Sequence, residues 1–197
     1  MTQPPLTPNV LAGRQGAMVL NGAALSLAVI AASGSVYLSL GLGLKACPLC
    51  FYQRSFALAA VLVLAMQLSL EGLRSAHACL VSLPLAASGL GVAAFHVYLV
   101  QIGKLECPPA LLGWGDGPLQ SLAVFGALTL VCLAGACSAR RTDGGGSLPA
   151  IVAALLLGAA AAWASIASAP SLPPAPTQPY DAVKQPFDMC RPPFRGA

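Results

Sequence analysis

Cys47-Pro48-Leu49-Cys50, followed at once by Phe51-Tyr52-Gln53-Arg54, is the segment of this chain best equipped for chemistry. Two cysteines separated by two residues can close a small disulfide and interconvert between dithiol and disulfide when a partner exchanges electrons with them. The motif lies in a short gap between two long apolar stretches, which holds a redox-capable dithiol against a membrane. That placement suits a lipid-soluble electron partner.

The elements that must position this motif follow from composition. Of 197 residues, 57% are hydrophobic and 8% charged, and the mean hydropathy is +0.77, which makes this an integral membrane protein. Crossing about 30 Å of hydrocarbon as a helix takes roughly 20 apolar residues. Such stretches fall near 17–40, 51–70, 76–100, 118–137 and 148–168. The first is too long for the core of a cleaved export signal. Residues 1–15, with Pro4, Pro5 and Pro8, read as a disordered cytoplasmic lead, 16–168 as a single transmembrane helical bundle, and 169–197 as a Pro-rich extracytoplasmic tail. The net charge of +4 calls for no nucleic-acid partner. With the N-terminus cytoplasmic, Arg14, Arg74, Arg140 and Arg141 fall inside and Lys45 and Lys104 outside, in line with the positive-inside rule. The loops at 41–50 and 101–117 and the tail then face the extracytoplasmic side, where disulfides persist.

This topology sorts the seven cysteines. Cys47, Cys50, Cys107 and Cys190 lie outside. Cys79 starts the third span, and Cys132 and Cys137 lie near the cytoplasmic end of the fourth, where they read as small apolar packing residues. Five residues apart on a helix, Cys132 and Cys137 occupy different faces.

The run Cys47-Pro-Leu-Cys50-Phe-Tyr-Gln-Arg54 after a first span, together with Phe95-His96-Val-Tyr-Leu-Val-Gln101 leading to Cys107, resembles the disulfide bond formation protein B (DsbB) family over roughly residues 17–137. The resemblance implies an all-α membrane protein with a four-helix transmembrane bundle, here joined by a fifth transmembrane helix. It implies an enzyme of the bacterial inner membrane, a protein-disulfide oxidoreductase that oxidises a DsbA-like thioredoxin-fold dithiol protein and passes the electrons to a quinone, ubiquinone or menaquinone. Disulfide formation in exported proteins would depend on it. Cys47 and Cys50 would be the pair that meets the quinone, and Gln53, Arg54 and His96 would be quinone-site residues. A guanidinium near the membrane surface can donate hydrogen bonds to a quinone carbonyl and favour a neighbouring thiolate; an arginine there can also simply snorkel to headgroups. Gln101 is offset by one residue from the family's glutamine.

The family places two cysteines in the loop between the third and fourth spans, and this chain has only Cys107 there. Cys190, in Asp188-Met189-Cys190-Arg191, is the other extracytoplasmic candidate, and compartment and reach together suggest that it pairs with Cys107. The tail holds eight of the 17 prolines, so it should be extended and flexible. At about 3.1 Å per residue, the stretch from Ala169 to Cys190 could extend about 60 Å. A mobile Cys190 could then visit both sites, and the adjacent Arg191 would lower its thiol pKa.

No zinc motif or phosphate-binding loop is visible, so no metal site is expected. Gly144-Gly145-Gly146 reads as a turn, and Asn21, Gln67 and Gln120 as interhelical or boundary polar groups. Two other function classes remain: a vitamin K epoxide reductase-like enzyme, whose paired cysteines come late in the bundle instead of after the first helix, and a non-catalytic membrane protein with structural disulfides.

Overall fold

The computed structural model describes residues 8–73, 75, 77–113, 115–142 and 147–194. Arg74 and the triple glycine lie outside these residues, as do the side chains of Arg14, Arg140 and Arg141. Five α-helices follow in order: α1 (Pro8–Leu40), α2 (Pro48–Glu71), α3 (Ala78–Gln101), α4 (Gly117–Thr142) and α5 (Leu148–Ala167). Each contains a segment long and apolar enough to cross a membrane, and helices satisfy their own backbone groups there. Among the described residues there is no strand, only two isolated bridges. Residues 8–15, expected in a disordered lead, are helical and continue into the first span.

Local chemistry sets the helix ends. The Cys47 side chain caps α2 by accepting from the backbone N–H of Cys50 at 3.3 Å, and Pro48 at the first helical position gives up only an N–H that needed no partner. Cys50 therefore sits in the first turn of a helix and not in a loop. At the other end, Gly72 takes a positive φ of 76° and its N–H bonds the Leu68 carbonyl, a stop that suits glycine. Ser147 caps α5 through the N–H of Ala150.

Helices α1, α2, α3 and α4 close a four-membered ring in which each packs on the next, and α5 leans on the outside of α3. Small residues carry the close approaches: Ala24, Ala28, Ala57 and Ala60 are fully buried beside Leu64, Leu83 and Leu128. A Cβ at Gly89 would overlap the Phe125 ring, one at Gly158 would stand 2.6 Å from the Ala87 methyl, and one at Gly91 would stand 2.7 Å from that of Ala162. Contacts on α5 advance along α3 in the same direction, Ala87 to Gly158 and then Gly91 to Ala162, so the two helices run parallel. The end of α5 consequently lies at the end of α3, where α1 also ends and α2 and α4 begin. Large apolar side chains such as Ile30, Leu62, Leu130, Leu156 and Trp163 stay exposed on the outer surface, as lipid-facing positions should.

Isolated polar groups serve packing away from that end. Asn21 donates to the carbonyls of Leu73 and Ser75 at 3.0 and 2.8 Å and accepts from the Cys79 thiol at 3.0 Å, tying α1 to the α2–α3 turn. Cys79 in turn contacts Cys132. Cys132 is buried and Cys137 exposed, the separation of faces that their spacing suggests. Gln120, by contrast, lies at the site end in the first turn of α4, where it donates to the Leu111 carbonyl at 2.7 Å and lines the cavity described below.

Candidate functional site

At the end shared by the C-termini of α1, α3 and α5, the tail is docked. Glu106 and Arg191 form an antiparallel bridge through reciprocal backbone hydrogen bonds of 2.8 and 3.0 Å, reinforced by a 2.8 Å ion pair between their side chains. Lys45 binds Asp188 twice, by backbone at 2.7 Å and by its ammonium at 2.9 Å. The Arg191 guanidinium also lies 3.7 Å from the Tyr180 ring centre and 4.7 Å from that of Phe187, and the Tyr180 hydroxyl donates to the Pro192 carbonyl. The expectation of a free, ranging tail is thus corrected. Arg191 acts as a clamp whose charge is engaged by Glu106 and two rings, which removes the argument that it activates the neighbouring thiol.

The clamp brings Cys190 to Cys107, and the two form a disulfide across 83 residues. Cys47 and Cys50 are free thiols with sulfurs 2.8 Å apart. Between the pairs stands His96, fully buried on α3: its Nε2 is 3.9 Å from the Cys47 sulfur and 3.6 Å from that of Cys107, and its Nδ1 is 3.4 Å from the side-chain nitrogen of Gln53. A histidine one helical turn from the end of a span would ordinarily be an interfacial group; here it is enclosed by four cysteines and a buried glutamine. The Cys47 thiol, at the mouth of α2, is held well below the ordinary thiol range, first by the hydrogen bond from Cys50 and then by His96, against the opposing effect of burial.

Arg54 occupies the next turn of α2. Its Nε donates to the Ser35 hydroxyl at 3.0 Å, and one terminal nitrogen donates to the Ser35 carbonyl and the Ser39 hydroxyl at 2.7 and 2.6 Å. Those serines, one turn apart on α1, were not singled out in the sequence, and nothing in their spacing sets them apart from Ser26 and Ser33 in the same span. A guanidinium has five N–H donors, and the two on Nη1 make no hydrogen bond among the described residues.

A cavity of about 170 Å³ opens beside these groups. Arg54, Gln53, Ser35 and Ser39 line it together with Cys50, Cys107 and Cys190, and Ile30, Leu38 and Phe125 supply apolar wall. Cys47 and His96 do not reach that wall. The four sequence-predicted cysteines and Gln53, Arg54 and His96 therefore do come together, but with a division: Cys50 and Arg54 face the cavity, whereas Cys47 and His96 face the second pair. His96, expected beside a quinone, is set back from the cavity. Gln101 is exposed and takes no part.

No curated protein and no solved structure matches the chain. The sequence model of a family described as disulfide bond formation protein DsbB matches residues 15–166, about three quarters of the chain and including every site residue except Cys190. A multi-pass helical bundle that stacks a CxxC pair against a second disulfide at one end fits that family's work of forming disulfide bonds, and the chain belongs to the DsbB family.

Proposed function

We propose that the protein is a membrane thiol:quinone oxidoreductase of the bacterial inner membrane, which reoxidises a DsbA-like dithiol protein on the periplasmic side and delivers the electrons to ubiquinone or menaquinone. The observation that carries this reading is the apposition of two cysteine pairs across one histidine, with one member of the CxxC pair on the wall of a cavity that also presents unengaged arginine N–H donors.

The exchange chemistry follows from that arrangement. A thiolate of the reduced partner attacks one sulfur of Cys107–Cys190, forming a mixed disulfide and releasing the other cysteine as a thiolate. The partner's second thiol closes the partner's own disulfide, which leaves two electrons and two protons on Cys107 and Cys190. One of those cysteines then attacks oxidised Cys47–Cys50, and the second resolves the mixed disulfide, restoring Cys107–Cys190 and reducing Cys47 and Cys50. Cys47 is the better leaving group because its thiolate is stabilised, and His96 is within reach to carry the proton between Cys107 and Cys47.

The cavity suits a quinone head group: apolar walls, the Nη1 donors of Arg54 for a carbonyl oxygen, and the Cys50 sulfur at its edge. When bound, a quinone supplies an acceptor for two electrons and two protons. Arg54, fixed by Ser35 and Ser39, favours negative charge at that edge. The test is anaerobic quinone reduction by the purified protein with a reduced thioredoxin-fold dithiol protein. Wild type should turn over, Cys47→Ser should not, and Cys190→Ser should fail to oxidise the partner. Absence of electron transfer from wild type to either quinone class would reject the reading.

A further inference from the structure

The sequence contains no zinc spacing, yet folding gathers Cys47 Sγ, Cys50 Sγ, His96 Nε2 and Cys190 Sγ so that all four atoms lie within 4.8 Å of one another. Three sulfurs and one imidazole nitrogen form a donor set typical of tetrahedral zinc. With metal–sulfur bonds of about 2.3 Å, tetrahedral geometry places the sulfurs about 3.8 Å apart and each about 3.5 Å from the nitrogen. Cys47 and Cys50 at 2.8 Å would open by about an ångström, Cys47 and His96 at 3.9 Å would barely move, and Cys190, within 4.8 Å of each of the others, would close by at most about 1.3 Å. Rotations of cysteine side chains cover such shifts.

We propose that the fully reduced protein binds one thiophilic divalent cation, of which Zn²⁺ is the type, through the thiolates of Cys47, Cys50 and Cys190 and Nε2 of His96. Reduction is the switch. In the oxidised second pair the Cys190 sulfur is committed to Cys107 and is a poor ligand, so the set is one donor short. Reducing that disulfide supplies the third thiolate, and binding releases the remaining thiol protons to water with no further change of oxidation state.

Two neighbours suit the site to a metal. Gln53 contacts His96 Nδ1; its side-chain amide can offer either a donor or, turned over, an acceptor. With its oxygen toward Nδ1–H it would hold the tautomer that frees Nε2 for the metal, as outer-shell partners of metal-bound histidines commonly do. Three thiolates around a divalent cation leave one net negative charge, and Arg54, which shares the cavity wall with Cys50 and Cys190, offsets it. A cation held here withdraws all three thiolates from disulfide exchange, so metal binding and turnover exclude one another.

Full-length protein in detergent would be reduced without oxygen by a water-soluble phosphine, which takes up an oxygen atom from water as it gives two electrons to each disulfide. It would then be mixed with a small excess of Zn²⁺ and desalted. Retention of one zinc per chain is expected, with Cys47, Cys50 and Cys190 shielded from iodoacetamide while Cys107 is modified. Co²⁺ in place of Zn²⁺ should give the intense visible absorption of a tetrahedral thiolate site. Cys107→Ser and Cys190→Ser both abolish the same disulfide, so they share any folding penalty but differ in the site. Cys107→Ser should bind Zn²⁺ like reduced wild type, and Cys190→Ser at least about 100-fold more weakly, since even outer-shell losses cost about 10–100-fold. Reduced wild type that retains no zinc, or equal affinity in the two variants, would overturn the proposal. Binding requires neither quinone nor partner protein, so its failure would leave the oxidoreductase reading standing.

Discussion

A fully buried imidazole between two cysteine pairs gives Cys47 a partner for its negative charge, and the consequence can be read as a function of pH. The Cys47 thiol is held below the ordinary thiol range, first by the hydrogen bond from Cys50 and then by His96, and a group with a depressed pKa is ionised above that lowered value. Alkylation of Cys47 should therefore persist at pH values well below those at which an ordinary thiol stops reacting. In His96→Ala the stabilising hydrogen bond and charge are lost, and the midpoint should rise by about one unit or more; a wild-type profile centred near the ordinary thiol value of about 8.5 would contradict the assignment. Arg54 is separable from this exchange chemistry because it faces the cavity. Arg54→Met should slow quinone reduction by about 100-fold, the usual cost of removing a charge-stabilising donor, while a single-turnover exchange between the partner and Cys107–Cys190 keeps its rate. Equal losses in both assays would place the arginine's role in folding. Gln53 and Arg54 were legible because they adjoin the CxxC in sequence. Ser35 and Ser39 were not, since serines are common in membrane helices and only the rotation of α1 about its axis turns these two toward Arg54. The division between Cys50 at the cavity and Cys47 at the histidine was equally hidden: both thiols sit in one short motif, and only the helix start at Pro48 points them apart.

The elements outside the four-helix ring make the second disulfide possible. Helix α5 is held to α3 by contacts of small residues, with Gly158 against Ala87 and the Pro84 carbonyl and the Ser88 hydroxyl donating to the Gly158 carbonyl at 3.2 Å. Gly158→Val forces the helices apart and should destabilise the bundle by about 1–3 kcal/mol. Thermal unfolding in detergent measures that loss, and the fraction of Cys107–Cys190 formed should fall with it; unchanged stability would mean that α5 does not pack as described. The tail offers a finer test. Glu106→Gln keeps the backbone bridge to Arg191 but removes a partly exposed ion pair worth up to about 1 kcal/mol. In a glutathione buffer the Cys107–Cys190 equilibrium should shift toward the dithiol by up to about fivefold, and no shift would show that the backbone bridge alone holds the tail. Apolar length made five helices legible. The docked tail was not, because proline content argues for an extended backbone and is silent on whether that backbone has a partner. The decisive residues, Lys45, Glu106, Tyr180 and Asp188, are single polar groups distributed over two loops and the tail, and nothing local marks them as a set.

At the scale of the molecule, α4 and α5 return the chain to the end at which α3 stops, and this is what allows a C-terminal cysteine to meet the loop after α3. The parallel run of α3 and α5 places the tail, Cys47, Cys50 and Cys107 at one end, while Cys137 is exposed toward the opposite end of α4. We propose, from the distribution of lysine and arginine between the loops, that the first end faces the outside. Val183 is 91% exposed in the tail, so a thiol placed there reports sidedness without disturbing the clamp. In cells stripped of their outer membrane, a membrane-impermeant maleimide should label Val183→Cys promptly, whereas native Cys137 should react only after the inner membrane is opened. The reverse pattern would put the cysteine pairs in a reducing compartment, where Cys107–Cys190 would not persist. If the two thiols behaved alike, α5, the helix that lies between them, would not cross. The outside-only pattern at Val183 is required for the exchange chemistry, since a periplasmic dithiol protein can reach Cys107–Cys190 only if all five helices are threaded in this sense.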